Sequence, residues 1–384
     1  MTSNNIEVAA ALADRPAHIL NMSGNLPPKV PHVFDEAYRG AIAAVLEEQS
    51  PNDLIGAHQF RGSERDRIAG AAFVARRLPH PPDPERVIVC NGTQSALTML
   101  MTGLVGRGGA LAIEALSYPT MHQFARMLGI ELCAIPMDGE GILPDAYETA
   151  CRNRKLSAYY AMPTLQNPTT AIMSVERRQT IAEISRRHGV AIIEDDIYSL
   201  LPRDVPPPLS SYAPEISWYI LGTAKAMAAA LKVAYIVAPS PDAARARFWP
   251  GVRATYWMSA PINVATVSRL ITTGGADAII DAVRAETVAR QSMVSQRLQA
   301  ARFRSLPEGL HVWLTLPPER HRDQFAASVR ALGAEISTSD TYFFGEGDAP
   351  NAVRFGTGAA PNRDEFERGL NAIVEASIVD RQPS

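Results

Sequence analysis

Between residues 86 and 239 the chain alternates two kinds of pattern. Seven short runs are almost continuously apolar or β-branched: RVIVCNG, ALAIEAL, ELCAIPM, SAYYAMP, VAIIEDD, WYILGTA and VAYIVAP. Each has the length of a strand and is bounded by turn residues, and the stretches between several of them suit helices that cross back over a sheet. This predicts an α/β fold in which a large domain carries a mostly parallel, seven-stranded sheet flanked by helices on both faces. Upstream, HVFDEAYRGAIAAVLEEQS follows the Pro27–Pro28 pair with helical apolar spacing.

Past residue 275 the pattern changes. GADAIIDAVRAETVARQSMVSQRLQAARF reads as one long amphipathic helix that stops where the composition changes at SLPEG. GLHVWLTLP, DQFAASVRALG, AEISTS, AVRFGTG and DEFERGLNAIVEAS then read as strand, helix, strand, strand and helix, a smaller C-terminal α/β domain. The organisation expected is a flexible arm over 1–18, an N-terminal segment over 19–47 packing with the small domain, a large domain over 48–275 and a small domain over 276–384.

A length of 384 residues exceeds the size at which one core usually stops growing, in keeping with two lobes. A formal net charge of −3 gives no electrostatic reason to expect nucleic acid or an anionic membrane as partner. Cys90, Cys133 and Cys151 have unrelated spacings and no CxxC pair, so they point to no metal site and read as small hydrophobes in a reducing compartment. Neither a membrane-length apolar run nor a signal-peptide pattern is visible, which makes the cytoplasm the expected location.

Residues 221–239, LGTAKAMAAALKVAYIVAP, set Lys225 and Lys232 among small apolar residues. A lysine is almost never fully buried unless it is paired or chemically used. Asn91 to Gln94, Tyr118, Asn167, Asp195 and Lys225 each fall just past an apolar run, where open α/β sheets bind their ligands. Singly they have ordinary roles: Asp195 as a turn or cap residue, Asn167 as opener of a proline turn, Tyr118 and Tyr198 at core edges, Arg354 as a snorkelling surface residue. Their order along the chain is the informative feature.

NGTQSAL (91–97), EALSYPT (114–120), PTLQNPTT (163–170), IIEDDIY (192–198), GTAKAMAAALKVAY (222–235) and AVRFGTG (352–358) occur in the order found in the fold-type I pyridoxal-phosphate enzymes. The chain resembles their class I/II aminotransferases, and the similar domain of some bacterial transcription regulators, from about residue 20 to 378. The resemblance implies pyridoxal 5'-phosphate as cofactor. Lys225 matches the lysine that holds it as a Schiff base, a task for a neutral amine whose pKa burial lowers. Asp195 matches the aspartate on the pyridine nitrogen, Tyr198 and Asn167 the partners of the ring hydroxyl, and Tyr118 the aromatic stacked on the ring. Thr93 and Gln94 stand where backbone N–H groups meet the phosphate at a helix N-terminus. Arg354 matches the bidentate clamp on the substrate α-carboxylate. Asn25 is expected at the substrate, in a side-chain pocket shared with His58, Arg61, Tyr256 and Trp257.

The chain also departs from the family pattern. Lys232 replaces a phosphate-binding arginine, supplying charge without a fork. Gly222 and Ala224 replace serines ahead of the Schiff-base lysine, leaving Thr223 as the partial substitute. Thr170 stands where glycine is expected, and the tyrosine often contributed by a partner subunit is not evident in LIGAHQFRG (54–62). The function implied is a cytoplasmic, homodimeric aminotransferase of amino acid metabolism, moving an amino group between an α-amino acid and an α-keto acid with ping-pong kinetics. The alternative on the same scaffold is another pyridoxal-phosphate reaction: elimination or replacement, decarboxylation, cyclisation or oxidation. A regulator's sensing domain is a further alternative, for which the stretch before residue 20 has neither the length nor the basic patch of a DNA-binding winged helix.

Overall fold

The apolar runs pair edge to edge, because fully buried strands need no polar face. The computed structural model describes residues 19–379, so the expected arm over 1–18 lies outside the described residues. Ahead of the sheet stand α1 (Pro31–Glu48), opened by a proline in its first turn, and α2 (Glu64–Val74), opened by a reciprocal Ser63–Asp66 capping box. The large sheet has seven strands: β1 (Val87–Cys90), β2 (Ala110–Glu114), β3 (Glu131–Ile135), β4 (Leu156–Ala161), β5 (Ala191–Asp195), β6 (Ser217–Gly222) and β7 (Ala234–Val237). Their order is β1-β7-β6-β5-β4-β2-β3, with β7 antiparallel to both of its neighbours and the rest running one way.

Consecutive strands that run the same way need long crossovers, and helices provide them. These are α3 (Gly92–Leu100) between β1 and β2, α4 (Thr120–Leu128) between β2 and β3, α5 (Pro144–Asn153) between β3 and β4, and α6 (Val175–His188) between β4 and β5. The helices α7 (Pro261–Thr272) and α8 (Gly275–Arg297) follow the sheet. A second, antiparallel sheet is formed by β8 (Arg302–Arg304), β9 (His311–Thr315), β10 (Ser337–Thr338) and β11 (Ala352–Gly356), in the order β8-β9-β11-β10. It packs with α9 (Arg322–Ala331) and α10 (Arg363–Val379) around Val312, Leu314, Phe325, Phe355 and Phe366. The architecture is therefore the one expected, a seven-stranded, mostly parallel sheet with helices and a smaller α/β unit.

Two boundaries differ. The expected long helix ends at Arg297, and its last residues instead form β8, where Phe303 pairs with Leu314 and the Arg-Phe-Arg alternation suits a strand. The segment 19–47 divides its packing. Leu20 and Asn21 pair with Ala334 and Glu335, and Met22 joins the small core, but Val30 and Ala41 of the following stretch join the large one. Helix α8 straddles both cores in the same way, with Ile279 and Val283 in the large and Val294 in the small.

Candidate active site

A cavity of about 380 Å³ opens at the carboxyl edge of the large sheet, roofed by the N-terminal segment and β11. The residues matched in the sequence to cofactor contacts and the carboxylate clamp line it, as does Asn25. Thr93 and Gln94 come from the first turn of α3, Tyr118 from beyond β2, and Asn167 from beyond β4. Asp195 ends β5 with Tyr198 just after it, Lys225 and Lys232 lie between β6 and β7, Arg354 is on β11, and Asn25 precedes α1.

Strand alternation selects one acid from the run Glu194-Asp195-Asp196. Glu194 turns to the backbone N–H groups of Leu209 and Ser210, and Asp196 accepts from Tyr219 Oη at 2.9 Å and Arg77 Nε at 3.2 Å. Only Asp195 faces the cavity. Its Oδ2 accepts from Tyr160 Oη at 3.1 Å, while its buried Oδ1 has no partner among the described residues. Burial pushes this carboxyl up to about 6, against the Tyr160 hydrogen bond that lowers it.

Burial lowers the Lys225 amine to about 8, helped by the nearby charges of Arg354 and Lys232 and opposed by Asp195. Lys225 Nζ donates to the main-chain oxygen of Asn25. The shift moves the amine toward the neutral nucleophile that an aldehyde requires.

On the far side of the cavity the first N–H groups of α3 have no intrahelical acceptor, which favours an anion there. Gly92 opens this turn at φ +77°, and a Cβ there would stand 3.5 Å from the Lys232 Cδ that passes over it. Lys232 itself adopts a left-handed conformation, φ 53° and ψ 40°. Thr223 does not stand in for the absent serines: its hydroxyl donates to the Val233 carbonyl at 3.0 Å, away from the cavity. Gly222 has a packing reason, because a Cβ there would lie 2.9 Å from Thr93 Cγ2.

Arg354 is buried. Its Nη1 donates to Ser23 O and Tyr342 Oη, both at 2.9 Å, and its Nε and Nη2 have no partner among the described residues, leaving one edge of the fork for a carboxylate. The Asn25 amide nitrogen is committed elsewhere than to a substrate side chain, since Nδ2 donates to Tyr198 Oη at 2.8 Å and lies 3.1 Å from His311 Nδ1, while Oδ1 has no partner among the described residues. The other residues expected in a side-chain pocket are not in this cavity. His58 and Arg61 line a separate surface cavity with Trp249, the exposed Tyr256 packs edge-on against His58, and Trp257 directs its indole N–H at the Asn91 amide. Sequence reading missed Tyr160, Tyr342 and His311. The signal for His311 was a polar residue heading the otherwise apolar run HVWL.

The unspent buried atoms around the cavity, Asn25 Oδ1, Asp195 Oδ1, Asn167 Oδ1, and Arg354 Nε and Nη2, suit a ligand with an N–H, a hydroxyl and a carboxylate. With the cationic Lys232 and a helix N-terminus at one end, the set fits pyridoxal phosphate carrying an amino acid.

A family model described as aminotransferase class I and II matches residues 21–373. An uncharacterised HTH-type transcriptional regulator of Bacillus subtilis is 26% identical over 359 residues, covering 93% of this chain and 76% of the regulator. The chain spans only 56%, 48% and 42% of three further curated relatives. The Pyrococcus horikoshii kynurenine aminotransferase, in complex with PMP, superposes with a TM-score of 0.84 at 18% identity, covering 100% of this chain and 96% of that one. The α-aminoadipate aminotransferase of Thermus thermophilus, complexed with N-(5'-phosphopyridoxyl)-L-leucine, gives a TM-score of 0.81 at 22% identity over 98% of each chain. No helix among the described residues is long and apolar enough to cross a membrane.

Proposed function

This chain belongs to the class I and II aminotransferase family, and we propose that it moves an amino group between an α-amino acid and an α-keto acid, with Lys225 as the amine that anchors the cofactor. The observation that carries this reading is one cavity holding a lysine lowered to about 8, a carboxyl with an unspent oxygen and an arginine with an unspent edge. When bound, pyridoxal phosphate supplies an aldehyde that takes up the amino group and a ring that accepts the electrons left by the α-proton. Asp195 pairs with the ring nitrogen and keeps it protonated. Tyr198 and Asn167 hold the ring oxygen, Tyr118 covers the ring face, and Thr93, Gln94 and Lys232 hold the phosphate. Arg354 fixes the substrate carboxylate and so aims the α-carbon at Lys225. Lys225 Nζ would be the base that takes the α-proton and returns it during the transfer. The same groups serve both halves, giving ping-pong kinetics.

The reading extends to the cytoplasm as location and to a homodimer, the latter supported by the exposed aromatic side chains of Trp257 and of Tyr256, which packs against Phe60. It divides the chain into a cofactor-binding domain over 48–275 and a small domain over 276–384, with α8 tied to both cores. The likeness to a regulator favours a second reading, in which the same cavity senses cofactor and amino acid without turnover. The test is Lys225→Ala. It should keep the far-ultraviolet spectrum, lose the visible absorbance of the lysine-bound cofactor and lose transfer from any amino donor to any keto acceptor. Persistence of that absorbance would overturn the assignment, and a wild type that binds cofactor without transferring nitrogen would support the sensor.

A further inference from the structure

His311 opens β9 in the small unit and is fully buried, yet it stands next to cavity residues. Its Nε2 lies 3.1 Å from the Gln166 carbonyl oxygen, which can only accept, so Nε2 carries the proton and Nδ1 is a bare acceptor. Nδ1 takes one hydrogen of the Asn25 amide at 3.1 Å, and the other hydrogen goes to the Tyr198 hydroxyl oxygen at 2.8 Å. Turning the Asn25 amide over would set its oxygen against the Nδ1 lone pair, so the imidazole selects one orientation of that amide. Tyr198 Oη then accepts from Asn25, and its own hydrogen, with no acceptor among the described residues, is left for the cavity.

We propose that His311 is a positioning residue, whose neutral imidazole fixes the Asn25 amide so that Tyr198 donates its hydroxyl hydrogen toward the ring oxygen of the bound cofactor. The proposal rests on the reading of Lys225 and Tyr198 given above. The surroundings keep the imidazole neutral. Burial and the charges of Arg354 on β11 and Lys225 beyond β6 hold it well below its ordinary value, and the other groups facing it are the Tyr198 ring, the Asn25 amide and the Gln166 carbonyl. A second proton would turn an N–H against the Asn25 amide N–H groups. Asn25 serves twice, since its main-chain oxygen also receives Lys225 Nζ. A strand of the small unit therefore orients a hydroxyl of the large one, through a segment that packs on both.

The test is an absorbance titration of the cofactor-loaded protein without substrate. A donor on the ring oxygen stabilises its anionic form and lowers the pH at which the cofactor–lysine linkage gives up its proton. Tyr198→Phe should raise that midpoint by about one pH unit, the scale of one hydrogen bond, and His311→Phe by roughly half as much or more. His311→Phe added to Tyr198→Phe should raise it no further, as expected for residues acting in series. His311→Asn, whose amide oxygen can stand near the Nδ1 position, should bring the midpoint most of the way back. A wild-type midpoint in His311→Phe, or equal displacement in both backgrounds, would overturn the relay and leave the anchor at Lys225 standing. A wild type with no titrating band would overturn the anchor, and the relay with it. Should His311→Phe fail to fold, Asn25→Ala tests the next link, with the Tyr198→Phe midpoint expected and the wild-type midpoint contradicting the relay.

Discussion

At the scale of single residues, the site holds the ionisable Asp195 and Arg354 almost wholly buried, and stability should register it. A carboxyl held at about 6 in the folded chain, against an ordinary 3.8, binds its proton more tightly folded than unfolded. Asp195 therefore favours folding below about pH 4, and that contribution is lost as pH rises through about 6. Asp195→Asn should make the cofactor-free protein more stable at pH 7.5 by roughly 1–3 kcal/mol, leave it nearly unchanged at pH 4, and abolish turnover. Thermal melts at the two pH values check this, and a variant less stable at pH 7.5 would contradict it. Sequence made Asp195 visible as the polar residue at a strand end, and alternation explains why its acidic neighbours are not equivalent. It could not reveal Tyr160 or His311, whose importance arises from partners 35 and 286 positions away in the chain.

At the scale of elements, the departures from the family pattern fall at particular local geometries. Thr170 sits at φ +62° and Lys232 at φ +53°, so both odd substitutions fall where the backbone is left-handed. A non-glycine residue there stores about 1–2 kcal/mol of strain. Gly222 is coupled to the first turn of α3, because its missing Cβ is what admits the Thr93 methyl. Gly222→Ser should therefore destabilise the protein by about 1–3 kcal/mol and weaken cofactor binding. Thr93→Ser in the same chain removes the clashing methyl and should recover most of that loss. Denaturant melts of the two single variants and the double give the coupling, and strictly additive losses would show that the two positions do not compete for space. Strand and helix positions were legible because their apolar periods are strong. The end of α8 was not, since an Arg-Phe-Arg stretch satisfies a strand only once β9 is beside it.

At the scale of the whole molecule, the two cores are bound by shared elements rather than by a simple seam. Met22 packs in the small core while Val30 and Ala41 pack in the large, and α8 contributes to both. The sequence suggested a cut near residue 275 because the composition changes there, but which core a helix face joins depends on three-dimensional neighbours. The same is true of the residues expected in a side-chain pocket. His58 and Arg61 line a separate cavity and Tyr256 packs on His58, so a periodicity or motif reading could not assign them to the Lys225 cavity.

In transamination, nitrogen leaves one substrate, waits on the protein and enters another. A single-turnover experiment with a nitrogen-15-labelled amino acid and cofactor-loaded protein, without keto acid, follows that nitrogen. Transfer by this chain should give one equivalent of keto acid per site, no free ammonia, and label that stays with the protein until an acceptor is added and then appears in the new amino acid. Labelled ammonia, or carbon dioxide in place of the keto acid, would contradict it.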